Sequence, residues 1–128
     1  MVQTRSRPSC VLMVEDEALI CEMMADALAE QGFEVHAVAT ADDALRHLIC
    51  GAPCDVLFTD VNLPGGTDGT ALARLARELR PGLPVVYASG AVARLAPEEA
   101  VPGGTFIAKP YNPDRVCTML GRIAAGRG

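Results

Sequence analysis

The feature that most constrains this chain is an alternation. Five short apolar runs are separated by stretches whose apolar residues recur at helical spacing, with Gly or Pro at many junctions. The runs are Cys10–Val14 (CVLMV), Glu34–Val38 (EVHAV), 54–59 (CDVLFT), 83–88 (LPVVYA) and Thr105–Ala108 (TFIA). The first, third and fourth are almost continuously apolar, as strands covered on both faces by helices must be. The second is the least strand-like.

The intervening stretches carry helix signals. Residues 17–31 set Ile20, Met24, Ala27 and Leu28 on one stripe and Glu22, Asp26 and Glu30 on another, and Gly32 ends the helix. Thr40 opens a second helix through Ile49 with a capping-box pattern in which Asp43 replaces the usual Glu. A third helix spans 70–79, closed by Pro81-Gly82, and Asn112-Pro113 starts a last one running to about Ala124. Residues 91–104 hold Pro97, Pro102 and Gly103-Gly104, which leaves room for only a short fourth helix. The order predicts an α/β fold: a doubly wound, five-stranded parallel sheet of order 2-1-3-4-5 in a flavodoxin-like three-layer sandwich.

The 128 residues leave room for one domain, expected over 10–125 between a flexible tail of residues 1–9 and a short tail of 126–128. Eleven basic residues against sixteen acidic give a net charge of −5, which argues against nucleic acid as a direct ligand. Cys10, Cys21, Cys50, Cys54 and Cys117 are odd in number and form no C-x-x-C pair, so they read as reduced thiols; Cys50 and Cys54, the nearest to a metal pair, lack a second pair to complete four ligands and read as buried small apolar residues. No run approaches the roughly eighteen apolar residues of a membrane span, and no secretory segment precedes the first strand, so a cytoplasmic protein without membrane insertion is expected.

In a doubly wound sheet the ligand sits beyond the carboxyl ends of the strands, and that is where the polar residues gather. The first strand ends in Glu15-Asp16, the third in Asp60, the fourth in Ser89 and the fifth in Lys109. Converging carboxylates repel unless a cation joins them, and hard oxygen donors suit Mg²⁺ or Mn²⁺. Taken alone, each acid could be a helix cap, and Asp16 is placed to cap the first helix. Lys109 is the only lysine in the chain, a compact charge on a flexible stem, and Pro110 favours an extended backbone there. His36 and His47 read as surface or half-buried structural histidines rather than phosphorelay groups, the Met23-Met24 pair as core filling, and Arg74, Arg77 and Arg80 as a solvated face rather than a docking site.

VEDE, FTDVNLPGGTDG, YASG and FIAKPY, in this order and spacing, resemble the receiver domain of two-component response regulators from Cys10 to about Ala124. The resemblance implies that Asp60 accepts a phosphoryl group from a histidine kinase or phosphotransfer protein. It further implies that Glu15, Asp16, Asp60 and the backbone carbonyl of Asn62 hold the metal, and that Ser89 and Lys109 bind phosphoryl oxygens. Phe106 matches the aromatic switch position. Ser89 and Phe106 would then alter the surface formed by the fourth helix, the fifth strand and the last helix, which meets a downstream protein target; a phosphorylation-dependent dimer is one form of that output. The resemblance also implies that Asn62 and Ala91, two residues beyond Asp60 and Ser89, flank the approach of water, and the small Ala91 then predicts a phosphorylated lifetime of minutes. The loop LPGGTDG is one residue longer than the common form, which leaves the start of the third helix open.

Such a domain assists its own phosphorylation and dephosphorylation but is not a turnover enzyme. An aspartate-nucleophile phosphatase would place a second acid two residues after the nucleophile, where Asn62 stands. Glu15-Asp16-Glu17 would repel a flavin phosphate, and no phosphate-binding G-x-x-x-x-G-K-[ST] loop occurs. A receiver-like binding module without phosphorylation keeps the fold and loses the chemistry. The sequence fits a whole single-domain regulator and a receiver belonging to a longer protein equally well.

Overall fold

A computed structural model describes residues 8–90 and 100–127. Five parallel strands, β1 (Cys10–Val14), β2 (Glu34–Val38), β3 (Val56–Asp60), β4 (Val85–Ser89) and β5 (Thr105–Ala108), form one sheet of order β2-β1-β3-β4-β5. The helices are α1 (Ala18–Glu30), α2 (Ala41–Ile49), α3 (Gly69–Leu79) and α4 (Pro113–Arg127). The expected doubly wound, flavodoxin-like architecture is therefore the observed one. The short fourth helix expected within 91–104 falls largely on residues outside the described set, as does Ala91; α4 is the expected last helix.

Alternation along the strands sorts the core into two layers. Leu12, Val14, Leu57, Val85 and Tyr87 face α2 and α3, while Val11, Met13, Val56, Phe58 and Val86 meet Met24 and Leu28 of α1 and Val116 and Leu120 of α4. β1 and β3 are buried throughout, whereas the edge strands β2 and β5 are half exposed. Among the described residues no buried side-chain N or O lacks a partner. No helix among them is long and apolar enough to cross a membrane.

Several boundaries shift for identifiable reasons. β3 begins at Val56 rather than 54, because Asp55 accepts the Cys10 amide on its side chain (2.7 Å) and donates its own amide to the Cys10 carbonyl (2.8 Å). β4 begins at Val85 because Pro84 has no N–H and Leu83 turns back to bond Arg80 (3.1 Å). Thr40 caps α2 by accepting the Asp43 amide (3.1 Å), but Asp43 turns to Arg46 (3.3 Å) instead of closing the capping box. Asn112 accepts the Asp114 amide at the start of α4, which runs to Arg127, beyond the expected end near Ala124. Ser9, assigned to the flexible tail, is buried and its carbonyl accepts the Glu34 amide (2.9 Å).

Three side-chain readings change. Met24 is core, but its neighbour Met23 is exposed. Arg77 and Arg80 are not a solvated face: Arg77 donates to the Leu83 carbonyl, and Arg80 donates to the carbonyls of Leu48 (3.0 Å) and Ala52 (2.7 Å), tying the end of α3 to the end of α2. Cys10, Cys54 and Cys117 are buried, whereas Cys50 is exposed. Burial pushes the Cys54 thiol up to about 11.

Candidate functional site

The site is an acidic crevice at the carboxyl ends of β1 and β3, closed by the turn after β5. Pairing of β1 with both β2 and β3 forces the chain to leave these strands in opposite directions, which opens the crevice. Glu15 follows β1 with 3% of its surface exposed, and Asp60 ends β3 with 7% exposed. With the exposed Asp16, they bring carboxylate oxygens within 4.8 Å of one another.

Lys109 enters from the far edge. Its amide donates to the Ser89 carbonyl (2.8 Å), extending the β4–β5 ladder one step past the strand. The Lys109–Pro110 bond is cis. The ammonium lies 2.7 Å from Asp60 Oδ2 and 3.3 Å from Glu15 Oε1, bridging the two carboxylates. Glu15 Oε2 also accepts the Glu17 amide (3.0 Å), and Asp60 Oδ1 accepts the Asn62 amide (3.3 Å). Asp16 does not cap α1, whose N-cap is Glu17, so the Asp16 carboxylate is left to the crevice.

Burial raises the Glu15 carboxyl above its ordinary 4.5, against the lowering effects of the Glu17 amide and Lys109. For Lys109, burial works downward, but the hydrogen bond and charge of Asp60, followed by Glu15, outweigh it and raise the ammonium above 10.5. The lysine is therefore a fixed positive charge at any physiological pH. Hard oxygen donors from three acids around one cationic position fit a small divalent ion.

Ser89 ends β4 beside Asp60, with Asp60 in register with Ala88, and its hydroxyl donates to the Gly90 carbonyl (3.2 Å). Phe106 is 45% exposed on β5 and stacks on Tyr87, with ring centroids 5.0 Å apart and planes at 21°. The structure thus gathers Glu15, Asp16, Asp60 and Lys109 at one point, sets Ser89 and Asn62 at its rim, and holds Phe106 on the adjacent edge.

Sequence reasoning passed over three contributors. Gly69 donates its amide to Val61 (2.8 Å) and lies so close beneath the end of β3 that a Cβ there would meet the Asp60 carbonyl oxygen at 2.0 Å. This explains the long loop: Asp68 caps α3 through the Ala71 amide (2.9 Å), and the helix starts at Gly69, one residue before the expected position. Tyr111 packs its ring on Phe58 (5.6 Å) beside the crevice. Burial, then the charges of Glu15 and Asp60, push its phenol well above the usual range. Tyr87 is the third. Its position two residues before Ser89 on the same strand was the available signal.

A parallel sheet of this order with an acid cluster at its switch point defines a class, and the comparisons with known proteins agree. The family described as response regulator receiver domain matches residues 11–121. The chain belongs to that family, and is a phosphoacceptor switch module of two-component signalling. It is 34% identical over 119 residues to the response regulator protein FleR of Pseudomonas aeruginosa, covering 91% of this chain and 25% of FleR. It is 32% identical to the sensor kinase CckA of Brucella abortus, covering 90% of this chain and 12% of CckA. Among solved structures, a response regulator receiver protein from Sinorhizobium medicae superposes with a TM-score of 0.84 at 31% identity, covering 94% of this chain and 98% of that one. Receiver domains work with histidine kinases and downstream effectors.

Proposed function

We propose that Asp60 is the phosphoacceptor of this receiver, taking its phosphoryl group from a phosphohistidine of a histidine kinase or phosphotransfer protein. The observation that carries this reading is the 2.7 Å ion pair between Lys109 Nζ and Asp60 Oδ2 inside a crevice walled by Glu15 and Asp16. An Asp60 oxygen attacks phosphorus in line; the new O–P bond forms as the P–N bond of the donor breaks, leaving an acyl phosphate. Mg²⁺ or Mn²⁺ held by Glu15, Asp16, Asp60 and the backbone carbonyl of Asn62 would supply charge cancellation at the phosphoryl oxygens.

Lys109 meets a phosphoryl oxygen on the opposite side, and its raised pKa keeps it charged throughout. Ser89 exchanges the Gly90 carbonyl for a phosphoryl oxygen, and Phe106 reorients on β5 in response. Output then passes through the face formed by the segment before β5, β5 itself and α4, to a downstream protein or a second copy of the chain. On α1, Leu19 and Met23 are exposed one turn apart, and Met23 lines a cleft with Lys109 and Tyr111, offering an apolar surface to the phosphodonor.

The domain acts as a switch rather than a turnover enzyme. Asn62, two residues beyond the acceptor, has no acidic proton to give a leaving group. The odd number of cysteines and the lack of a C-x-x-C pair support a cytoplasmic location. Incubation with acetyl phosphate and Mg²⁺, followed by intact mass measurement, tests the reading. Wild type should gain one phosphoryl group and Asp60→Asn none. An equal gain by both would remove Asp60 as acceptor, and no gain by wild type would favour a binding module without phosphorylation.

A further inference from the structure

Phe106 does not lie over open space. Its ring rests on Tyr87, its direct register partner on β4, and Tyr87 is fully buried. Two further observations fix Tyr87. Its hydroxyl oxygen accepts the amide of Val101 (3.1 Å), a buried residue in the turn that leads into β5. On its flank, Gly104 approaches so closely that a Cβ would meet Tyr87 Cε2 at 2.9 Å and the Val101 carbonyl at 3.2 Å. The ring is therefore bounded by Phe106, by Gly104 and by its own hydrogen bond. Alternation along β4 also puts it on the same face as Ser89, two residues nearer the crevice.

We propose that Tyr87 is a positioning residue that joins Phe106 to the backbone at Val101, so that the switch ring and the turn before β5 rearrange as one unit. This rests on the reading of Phe106 as the switch residue and extends it. Phe106 cannot turn inward without sliding over or displacing the Tyr87 ring. Close-packed interiors answer such pressure by moving between discrete arrangements rather than by yielding smoothly. Displacement of Tyr87 takes its hydroxyl from the Val101 amide, which is buried and then exchanges with solvent at a different rate. The turn before β5 thus receives the change through a side chain as well as along the strand.

The experiment is amide hydrogen exchange by NMR on the full chain with Mg²⁺, with and without beryllofluoride, for wild type, Tyr87→Phe and Gly104→Ala. In wild type, beryllofluoride should change the Val101 exchange rate by about tenfold or more. In Tyr87→Phe the ring remains and the acceptor is lost. Val101 should then exchange about fivefold faster in the free protein, and its response to beryllofluoride should fall below about twofold while the Val61 and Ser89 amides shift as in wild type. Gly104→Ala, whose methyl crowds the ring, should weaken the response in the same direction.

A role confined to stability would move the free-state rate but leave the response intact, and that result in Tyr87→Phe overturns the proposal. So does an unchanged Val101 rate in wild type when beryllofluoride shifts Val61 and Ser89, a result that stands even if either variant fails to fold. If beryllofluoride shifts no amide near Asp60, the phosphoacceptor reading fails and the relay fails with it.

Discussion

The two edges of the sheet each carry a stacked pair of rings, and the pairs sit in different surroundings. At the β2 edge, His36 lies on His47 of α2, with centroids 4.0 Å apart, and His47 Nε2 is 3.2 Å from the Pro53 carbonyl. At the β5 edge, Phe106 lies on Tyr87, strand against strand, and the pair is bonded onward to Val101. Both edge strands are half exposed. What separates them is where each strand leads: β2 runs into the N-cap of α2, whereas β5 runs into Lys109 and the crevice. Of the two stacks, the one at β5 lies on the strand that runs into the crevice.

The largest expected difference lies in rate. Lys109→Met, beyond β5, should slow phosphorylation by acetyl phosphate by about a hundredfold to a thousandfold, the usual loss for a preorganised charge at the reacting oxygens. His36→Gln, on the other edge, should stay within about twofold of wild type, because a surface imidazole remote from the reacting atoms contributes no such charge. Comparable losses for both would erase the distinction between the edges. Time courses of phosphorylated mass measure it.

Next in size is the cost of a single methyl group. Gly69→Ala would drive a Cβ into the Asp60 carbonyl and should destabilise the fold by about 3 kcal/mol, near the upper range for overpacking. Gly32, at the turn into β2, has φ +94° and open space around it. Gly32→Ala should therefore cost only its backbone strain, about 1 to 2 kcal/mol. Urea unfolding should give the two values in that order; a reversed order would mean that the backbone beneath Asp60 relaxes freely.

The smallest effect is one of pH. Burial, then the charge of His47, hold the His36 imidazole below its ordinary 6.5. As pH falls, the unfolded chain takes up this proton first, so the folded state loses stability from about pH 6.5 down through the lowered native value. Lys109 behaves oppositely. Its raised value means that its contribution is complete below 10.5 and is lost only as pH rises through the higher folded value. Urea midpoints near neutrality and at about pH 5.5 should differ more in wild type than in His36→Gln.

Glu15, Asp16, Asp60 and Lys109 were legible because a doubly wound sheet delivers the residue after each strand to one place, whatever the details of packing. Strand starts were less so. Asp55 and Pro84 moved two of them through one side-chain hydrogen bond and one missing N–H, neither of which apolar patterning registers. Met23 and Met24 look alike in sequence and differ only in the direction each faces on α1. Tyr87, Tyr111 and Gly69 were passed over because their roles are contacts between elements: a cross-strand ring stack, a ring on Phe58, and a close approach to the Asp60 carbonyl. The orientation of the Ser89 hydroxyl is a rotamer, which lies beyond any reading of spacing.

The double grip of Arg80 on Leu48 and Ala52 has a mechanical consequence. It pins the C-terminal ends of α2 and α3 to each other. That tie lies at the helix ends remote from the carboxyl termini of the strands, so it joins the two helices on one face of the sheet without entering the crevice.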